Sequence, residues 1–542
     1  MDHQNLPELV LKNALFCNVF TETLESGDIA IDGGRFCGIG NYSGQQELDM
    51  TGKIIVPAFI DGHIHLESSM ATPAEFARMA AAHGTAAAVC DPHELANVCG
   101  TNGIDYLLEN SRNLMIDCFF MLPSCVPAAL GEENGAVLTA EMLKPYYGNS
   151  RVLGLGEVMN IPGVLNRDTD LLQKLGDAIT AGNRIDGHAP GLKENALDAY
   201  LFAGISTDHE CSSAEEAREK LRRGMWILLR EGTAARNLTT LLPLLNEPGA
   251  DRCLFATDDK HADELMYEGH IDLSVRRAIA QGIAPLRAIR TASRNAAECY
   301  GLRGYGAIAP GYFANFIVTD NLEQLPIHAV WHNGKPVFPE CEPKKTIPDN
   351  TPLLQKVTGT FHCAPFTAAD FEDYPAFPYI GVELIPGEIL TKKCTAQPAT
   401  AIRLAVAERH KNTGHIGKAY LCGYGLRRGA VASSIAHDSH NLIVAGTNAR
   451  DMAVAAEAVR NAGGGLAAVC DGTVLALLEL PLGGLISLLP AEELCKKVLE
   501  LRSAAETLGD FSGIDPFMTL AFVSLPVIPE IRLTSHGLVT LE

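Results

Sequence analysis

The sequence predicts an α/β fold centred on a (β/α)8 barrel, and three observations predict it. Eight short apolar runs of strand character alternate with stretches of helical periodicity across residues 57–304. Short strands broken by glycine flank that region on both sides. Histidine and carboxylate side chains stand directly after several of the apolar runs, where a parallel barrel gathers side chains into one mouth.

Residues 1–56 read as antiparallel strands and hairpins, as in Ile29-Ala30-Ile31-Asp32-Gly33-Gly34. Residues 305–342 carry a second set, with strands at Asn315–Val318 and Ala329–Trp331 and a hairpin turn at Asn333-Gly334. The two sets are expected to combine into one composite β-sandwich beside the barrel. Barrel strands are predicted at Pro57–Asp61, Thr85–Cys90, Cys118–Met121, Val152–Leu155, Arg184–Gly187, Gly204–Thr207, Met225–Leu229 and Cys253–Thr257. Helical periodicity fills most gaps, as at Pro73–Ala82, Glu194–Phe202 and Ser213–Arg223, and a helix at Pro285–Tyr300 closes the barrel. Residues 343–378 hold many prolines and little periodicity, the marks of an irregular linker. Residues 379–542 read as a C-terminal α/β (α+β) domain, with strands at Ile443–Ala445 and Leu466–Val469 and helices at Asp451–Ala462 and Ala491–Thr507. Gly463-Gly464-Gly465 falls between a helix and a strand, so it is a helix stop and not a phosphate loop.

Composition narrows the function classes. The formal charge of −22 argues against nucleic acid as a partner, which normally needs a basic footprint. The 15 cysteines are scattered without a Cys-x-x-Cys pair, as expected of reduced thiols in a cytoplasmic protein. The N-terminus lacks a basic stretch followed by an apolar core, so no secretory signal is expected. Residues 464–489 are apolar but interrupted by Asp471, Glu479 and Pro481, which suits a core segment and not a membrane span.

The donors follow the strands in a fixed order: His63-Ile64-His65, Glu157, His188, His209 and Asp258. A His-x-His pair on an extended strand presents both rings on one face. Any one of these residues alone has an ordinary structural explanation; the set in phase with eight strands does not. Imidazole and carboxylate without thiolate point to manganese, iron or zinc. Glu157 has two oxygens and can bridge two cations, with His63, His65 and Asp258 completing one and His188 with His209 the other. A water between two dications is acidic enough to act as hydroxide near neutrality, and Asp258 beside it can take its proton. Asp91-Pro92-His93-Glu94 follows the second strand. It reads equally as a proton donor or substrate clamp, or as a helix start with Asp91 and Glu94 in a capping box.

The fragments Pro57-Ala58-Phe59-Ile60-Asp61-Gly62-His63-Ile64-His65-Leu66-Glu67-Ser68-Ser69, Asp91-Pro92-His93-Glu94, Gly187-His188-Ala189-Pro190-Gly191, Asp208-His209-Glu210 and Thr257-Asp258-Asp259 resemble those of the bacterial and archaeal adenine deaminases of the amidohydrolase superfamily. The resemblance continues through Ala432-Ser433-Ser434-Ile435-Ala436-His437-Asp438-Ser439-His440-Asn441 and Asp515-Pro516-Phe517-Met518-Thr519-Leu520, so it spans nearly the whole chain. Ala58 stands where that family commonly has Gly; no ligand is affected. The resemblance implies hydrolysis of adenine to hypoxanthine and ammonia in purine salvage, with two divalent metal ions per chain, manganese first and iron or zinc as the other choices. It also implies Glu94 as the group that protonates the purine ring, and a homodimer. Glu67, Ser68, Ser69 and His93 stand where a substrate edge could be met. His437 and His440 belong to a loop that either closes over the barrel mouth or forms a local hydrogen-bond network. The competing readings are another barrel amidohydrolase acting on a cyclic amide or another 6-aminopurine, and a metal-binding scaffold without catalysis. Dihydroorotases and hydantoinases usually carry lysine where Glu157 stands, and a scaffold has no need of Asp258 with Glu94.

Overall fold

The computed structural model describes residues 6–129, 131–233, 235–339, 352–385, 390–511 and 514–541. A curled parallel sheet occupies the middle of the chain. Its strands are β1 (Phe59–Ile64), β2 (Thr85–Cys90), β3 (Asp117–Leu122), β4 (Val152–Val158), β5 (Arg184–Gly187), β6 (Thr207–Asp208), β7 (Trp226–Arg230) and β8 (Cys253–Ala256). They pair as an arc of five, β1 to β5, and an arc of three, β6 to β8. The arcs meet on both sides. Ser206 N–H donates to Ile185 O at 3.0 Å, and Asp258 N–H donates to His63 O at 2.9 Å. Every residue of β1, β2, β7 and β8 is buried, as expected of parallel strands covered by helices on one side and packed inside on the other.

Two barrel elements differ from expectation. The sixth strand is only Thr207–Asp208, because Gly204 adopts φ 100° and the extended run starts beyond it. The closing helix is interrupted: Pro285–Arg290 and Ala296–Tyr300 are α-helical, and Thr291–Asn295 between them is a π turn. The widened turn carries Asn295, whose amide donates to the carbonyls of Ala250 and Cys253 at 3.1 and 2.8 Å and so ties the helix to the start of β8.

The strands on either side of the barrel segment share one eight-stranded sheet. Ile54–Pro57 pairs antiparallel with Phe316–Thr319, which joins the two distant stretches of chain directly. Asn333 and Gly334 both take positive φ, 50° and 72°, as the primed hairpin turn requires. Residues 379–541 are built on a second eight-stranded sheet, antiparallel except where Tyr379–Leu384 runs parallel to Ile416–Cys422. The apolar run at 464–489 supplies the hairpin of Gly465–Cys470 and Thr473–Glu479. Among the described residues no helix is long and apolar enough to cross a membrane. Of the expected linker, 343–351 lies outside the described residues; the rest holds a short helix, Pro352–Val357, and buries Val357 and Phe371.

The C-terminal sheet and its helices seat against the barrel mouth. Arg502 of helix Ala491–Glu506 bonds Asp263 after β8 at 2.8 Å, and Ser487 N–H donates to Met70 O at 2.8 Å. That placement brings residues nearly 350 positions apart in sequence into one polar cluster, where His440 meets Glu94.

Candidate active site

The strand-end donors converge on one carboxylate. His63 and His65 alternate with Ile64 at the end of β1, and their ring centroids lie 4.8 Å apart. His65 Nε2 is 3.2 Å from Glu157 Oε1 and 3.0 Å from Asp258 Oδ1; His63 Nε2 is 3.9 and 3.4 Å from the same two oxygens. The other oxygen of Glu157 faces the second pair, with His188 Nδ1 at 2.7 Å and His209 Nε2 at 3.3 Å. All six side chains are buried. The donor set fits two divalent cations that share Glu157, and His63 Nε2, aimed into the cluster, has no hydrogen-bond partner.

A second layer of side chains fixes these donors. Asp91 Oδ2 accepts the Glu157 N–H at 3.0 Å, and the Asp91 carbonyl lies 3.0 Å from His65 Nδ1, which leaves Nε2 facing the cluster. Asp91 comes so close only because residue 156 is glycine; a Cβ there would stand 2.1 Å from Asp91 Oδ2. Asp258 holds φ 62°, a left-handed conformation that its bonds to the end of β1 maintain. Its Oδ2 is bonded by Arg230, at the end of β7, which also bonds both oxygens of Glu210. Burial would raise the Asp258 carboxyl, but the Arg230 charge, with the His63 and His65 imidazoles close by, holds it well below the usual carboxylate range.

Lys220 is the support beneath β6. Fully buried, it donates to Asp208 at 2.8 Å, Glu216 at 2.7 Å and the Ala189 carbonyl at 2.6 Å, next to both His209 and His188. Lys220→Met removes one partner of a buried ion cluster and is expected to lower stability by about 3–5 kcal/mol. Urea denaturation measures this, and a loss below about 1 kcal/mol would show the cluster to be energetically neutral.

The Asp-Pro-His-Glu stretch does not form a capping box. Helix His93–Cys99 has Pro92 at its cap, without a side-chain cap bond, while Asp91 serves Glu157. Glu94 instead reaches out of the barrel, with Oε1 at 2.5 Å from His437 Nδ1 and Oε2 hydrogen-bonded to His440 Nε2. His93 lies between, 3.4 Å from Asp91, 3.5 Å from Glu94 and 4.4 Å from the His65 ring. A cavity opens above Glu157, lined by His93, Glu94, Asp258 and His437 and walled on the C-terminal side by Phe522, Leu525 and Ile528.

Comparison with known proteins agrees with this geometry. Residues 54–339 match the amidohydrolase family and residues 388–542 match the adenine deaminase C-terminal domain. An adenine deaminase of Clostridium acetobutylicum is 45% identical over 98% of this chain and 95% of its own length. An adenine deaminase 2 of Carboxydothermus hydrogenoformans is 44% identical over the same shares. One from Geobacillus kaustophilus is 42% identical over 99% of this chain and 95% of its length. The chain belongs to the adenine deaminase family.

In this adenine deaminase family member, the residues expected to touch substrate fall into two groups. His93 and His437 line the cavity, and His440 stands one layer behind, on Glu94. Glu67, Ser68 and Ser69 are not among the lining residues. Glu67 accepts the Leu95 N–H at 3.0 Å, Ser69 donates to the Leu66 carbonyl at 2.7 Å, and Ser68 bonds Asp259, which does line the cavity. A short 3-10 turn at Leu66–Ser69 points Glu67 to helix His93–Cys99 and Ser68 to the loop after β8, and Ser69 bonds back within the turn. Sequence reasoning passed over Arg230, although it ends the seventh apolar run, the position that marked every other donor. The Phe522, Leu525 and Ile528 wall carried no signal, because apolar side chains after a helix look like ordinary core.

Proposed function

We propose that this chain hydrolyses adenine to hypoxanthine and ammonia. The observation that carries the reading is the division of the donors between the two oxygens of Glu157, with Asp258 and Glu94 at the same cavity. Two divalent cations, manganese in first place, would be held by His63, His65, Glu157 and Asp258 on one side and by Glu157, His188 and His209 on the other, and would supply an activated water. Asp258, kept ionised and oriented by Arg230, accepts the proton of the attacking water and passes it to the departing amine. Glu94 is the origin of the charge that directs a proton to the purine ring. Met159 with Phe522, Leu525 and Ile528 gives a flat heterocycle apolar surroundings and excludes bulk water.

A free base presents a bare imidazole edge, whereas a nucleoside adds a ribose on that side, which a buried, enclosed cavity would have to accommodate. We expect kcat/KM for adenine to exceed that for adenosine by at least about 10²-fold, since a pocket discriminates by tens- to hundreds-fold for even one methylene. Ammonia release from manganese-loaded protein with adenine, adenosine and cytosine tests both the activity and its selectivity. Equal turnover of adenine and adenosine would remove the free-base reading, and no ammonia from adenine would remove the function itself.

A further inference from the structure

His437 closes the cavity from outside the barrel. It is 3% exposed, and its ring stacks on Phe522 with centroids 4.7 Å apart and planes inclined by 27°. Nδ1 lies 2.5 Å from Glu94 Oε1, while Nε2 has no hydrogen-bond partner although the residue lines the substrate cavity. His440 is the opposite case, with both nitrogens engaged. Its Nδ1 accepts the Ala436 N–H at 3.2 Å, which puts the ring proton on Nε2, where it is donated to Glu94 Oε2. Both oxygens of Glu94 therefore end on imidazoles. At 2.5 Å, Glu94 Oε1 and His437 Nδ1 are in direct contact, too close for a cation to sit between them. Each oxygen gives one of its lone pairs to an imidazole, and of those two rings His437 is the one that lines the cavity.

We propose that His437, on the C-terminal domain, is the catalytic residue that delivers the proton to the purine ring nitrogen through Nε2–H, with Glu94 and His440 as the positioning pair behind it. This rests on the adenine reading above. The Nε2–H bond breaks and its electron pair stays on the imidazole, which passes from cation to neutral. The ring nitrogen gains the N–H bond that remains in hypoxanthine, and Nδ1–H stays on the Glu94 carboxylate. Solvent returns a proton to Nε2 after product leaves, matching the one released when water is activated, so adenine and water give hypoxanthine and ammonia in balance. The carboxylate behind the ring fixes its orientation and stabilises its charged form, as in other carboxylate–imidazole pairs. Burial disfavours charge on His437, but the Glu94 and Asp259 carboxylates outweigh it and lift the ring to about 9. Burial dominates at His440 and holds it down at about 4.

His437→Asn separates delivery from positioning, because the Asn amide nitrogen stands where Nδ1 does and nothing remains at Nε2. With manganese-loaded enzyme and adenine, this variant should lose at least about 10²-fold in kcat with KM changed far less. It should keep the wild-type metal content. In His437→Ala, added imidazole should restore part of the rate, and the restored rate should fall as pH rises through the titration of imidazole. Near wild-type turnover by His437→Asn would overturn the proposal. So would a His437→Ala enzyme with full metal content that imidazole fails to rescue, or loss of a third equivalent of metal in either variant. A wild-type enzyme releasing no ammonia from adenine would remove the functional reading and this proposal together, an outcome distinct from a failure confined to the variants.

Discussion

Glu157→Gln is expected to cost the enzyme metal and rate together. Glu157 faces all four histidine donors, with Oε1 toward His63 and His65 and Oε2 toward His188 and His209. Burial alone would make its carboxyl harder to ionise. The His209 charge and the bonds from His188, His209 and His65 reverse this and hold it well below the usual range. An amide keeps the shape but replaces one anionic oxygen by an N–H donor, which faces one cation site with the wrong polarity. Removal of an outer-shell partner already lowers metal affinity by about 10–100-fold, and loss of a shared ligand should exceed that. Metal per chain measured by mass spectrometry after dialysis, together with ammonia release, reads both effects. Two ions per chain with unaltered activity in Glu157→Gln would rule out the bridging role.

Asp258→Asn and Glu94→Gln should each lower kcat by about 10²-fold or more, the usual scale for loss of a proton transfer. Asp258 acts as the group that moves the proton and Glu94 through the His437 charge it sustains, so they should differ in kind. Asp258 Oδ1 faces the His63 and His65 nitrogens while Arg230 holds Oδ2. Its amide leaves Arg230 facing an N–H group or turns that group toward the cations, so metal content and rate should fall together. Glu94 takes its hydrogen bonds from His437 and His440 and is one histidine, His93, away from Glu157. His440 has its proton fixed on Nε2, so the glutamine oxygen turns to His440 and the amide N–H₂ faces His437 Nδ1. His437 then accepts at Nδ1 and can no longer carry a positive charge there. Metal content and KM should stay near wild type while kcat falls. A Glu94→Gln enzyme with wild-type turnover would leave Glu94 as a structural link between barrel and C-terminal domain.

The alternation of apolar runs with helical periodicity placed eight strands because a parallel strand covered on both faces must be apolar throughout, and sequence records that directly. Donors after those runs were legible for the same reason, since a polar side chain at the end of a buried strand has the barrel mouth to enter. Local chemistry also located the Asn333-Gly334 turn, where two successive positive φ values are required. Sequence was less informative where geometry is collective. The left-handed Gly204 before β6 and the π turn at Thr291–Asn295, whose Asn295 bonds the start of β8, leave no mark on strand or helix periodicity. Asp91 and Glu94 have the spacing of a capping box, and only the folded chain shows that Glu157 and the two histidines outcompete the helix terminus for them.

What the sequence by itself determined is which strand-end side chains meet at Glu157 and their order along the barrel, because strand phase is a local property. What only the tertiary structure decided is the boundary of the site. Glu94 and His440 are separated by 346 residues, and Arg230 meets Asp258 across adjacent strand ends. Contacts of that kind depend on how the C-terminal sheet docks on the barrel and on which polar groups are left unpaired when it does. Their energies are settled only once water has been excluded from all the partners at once.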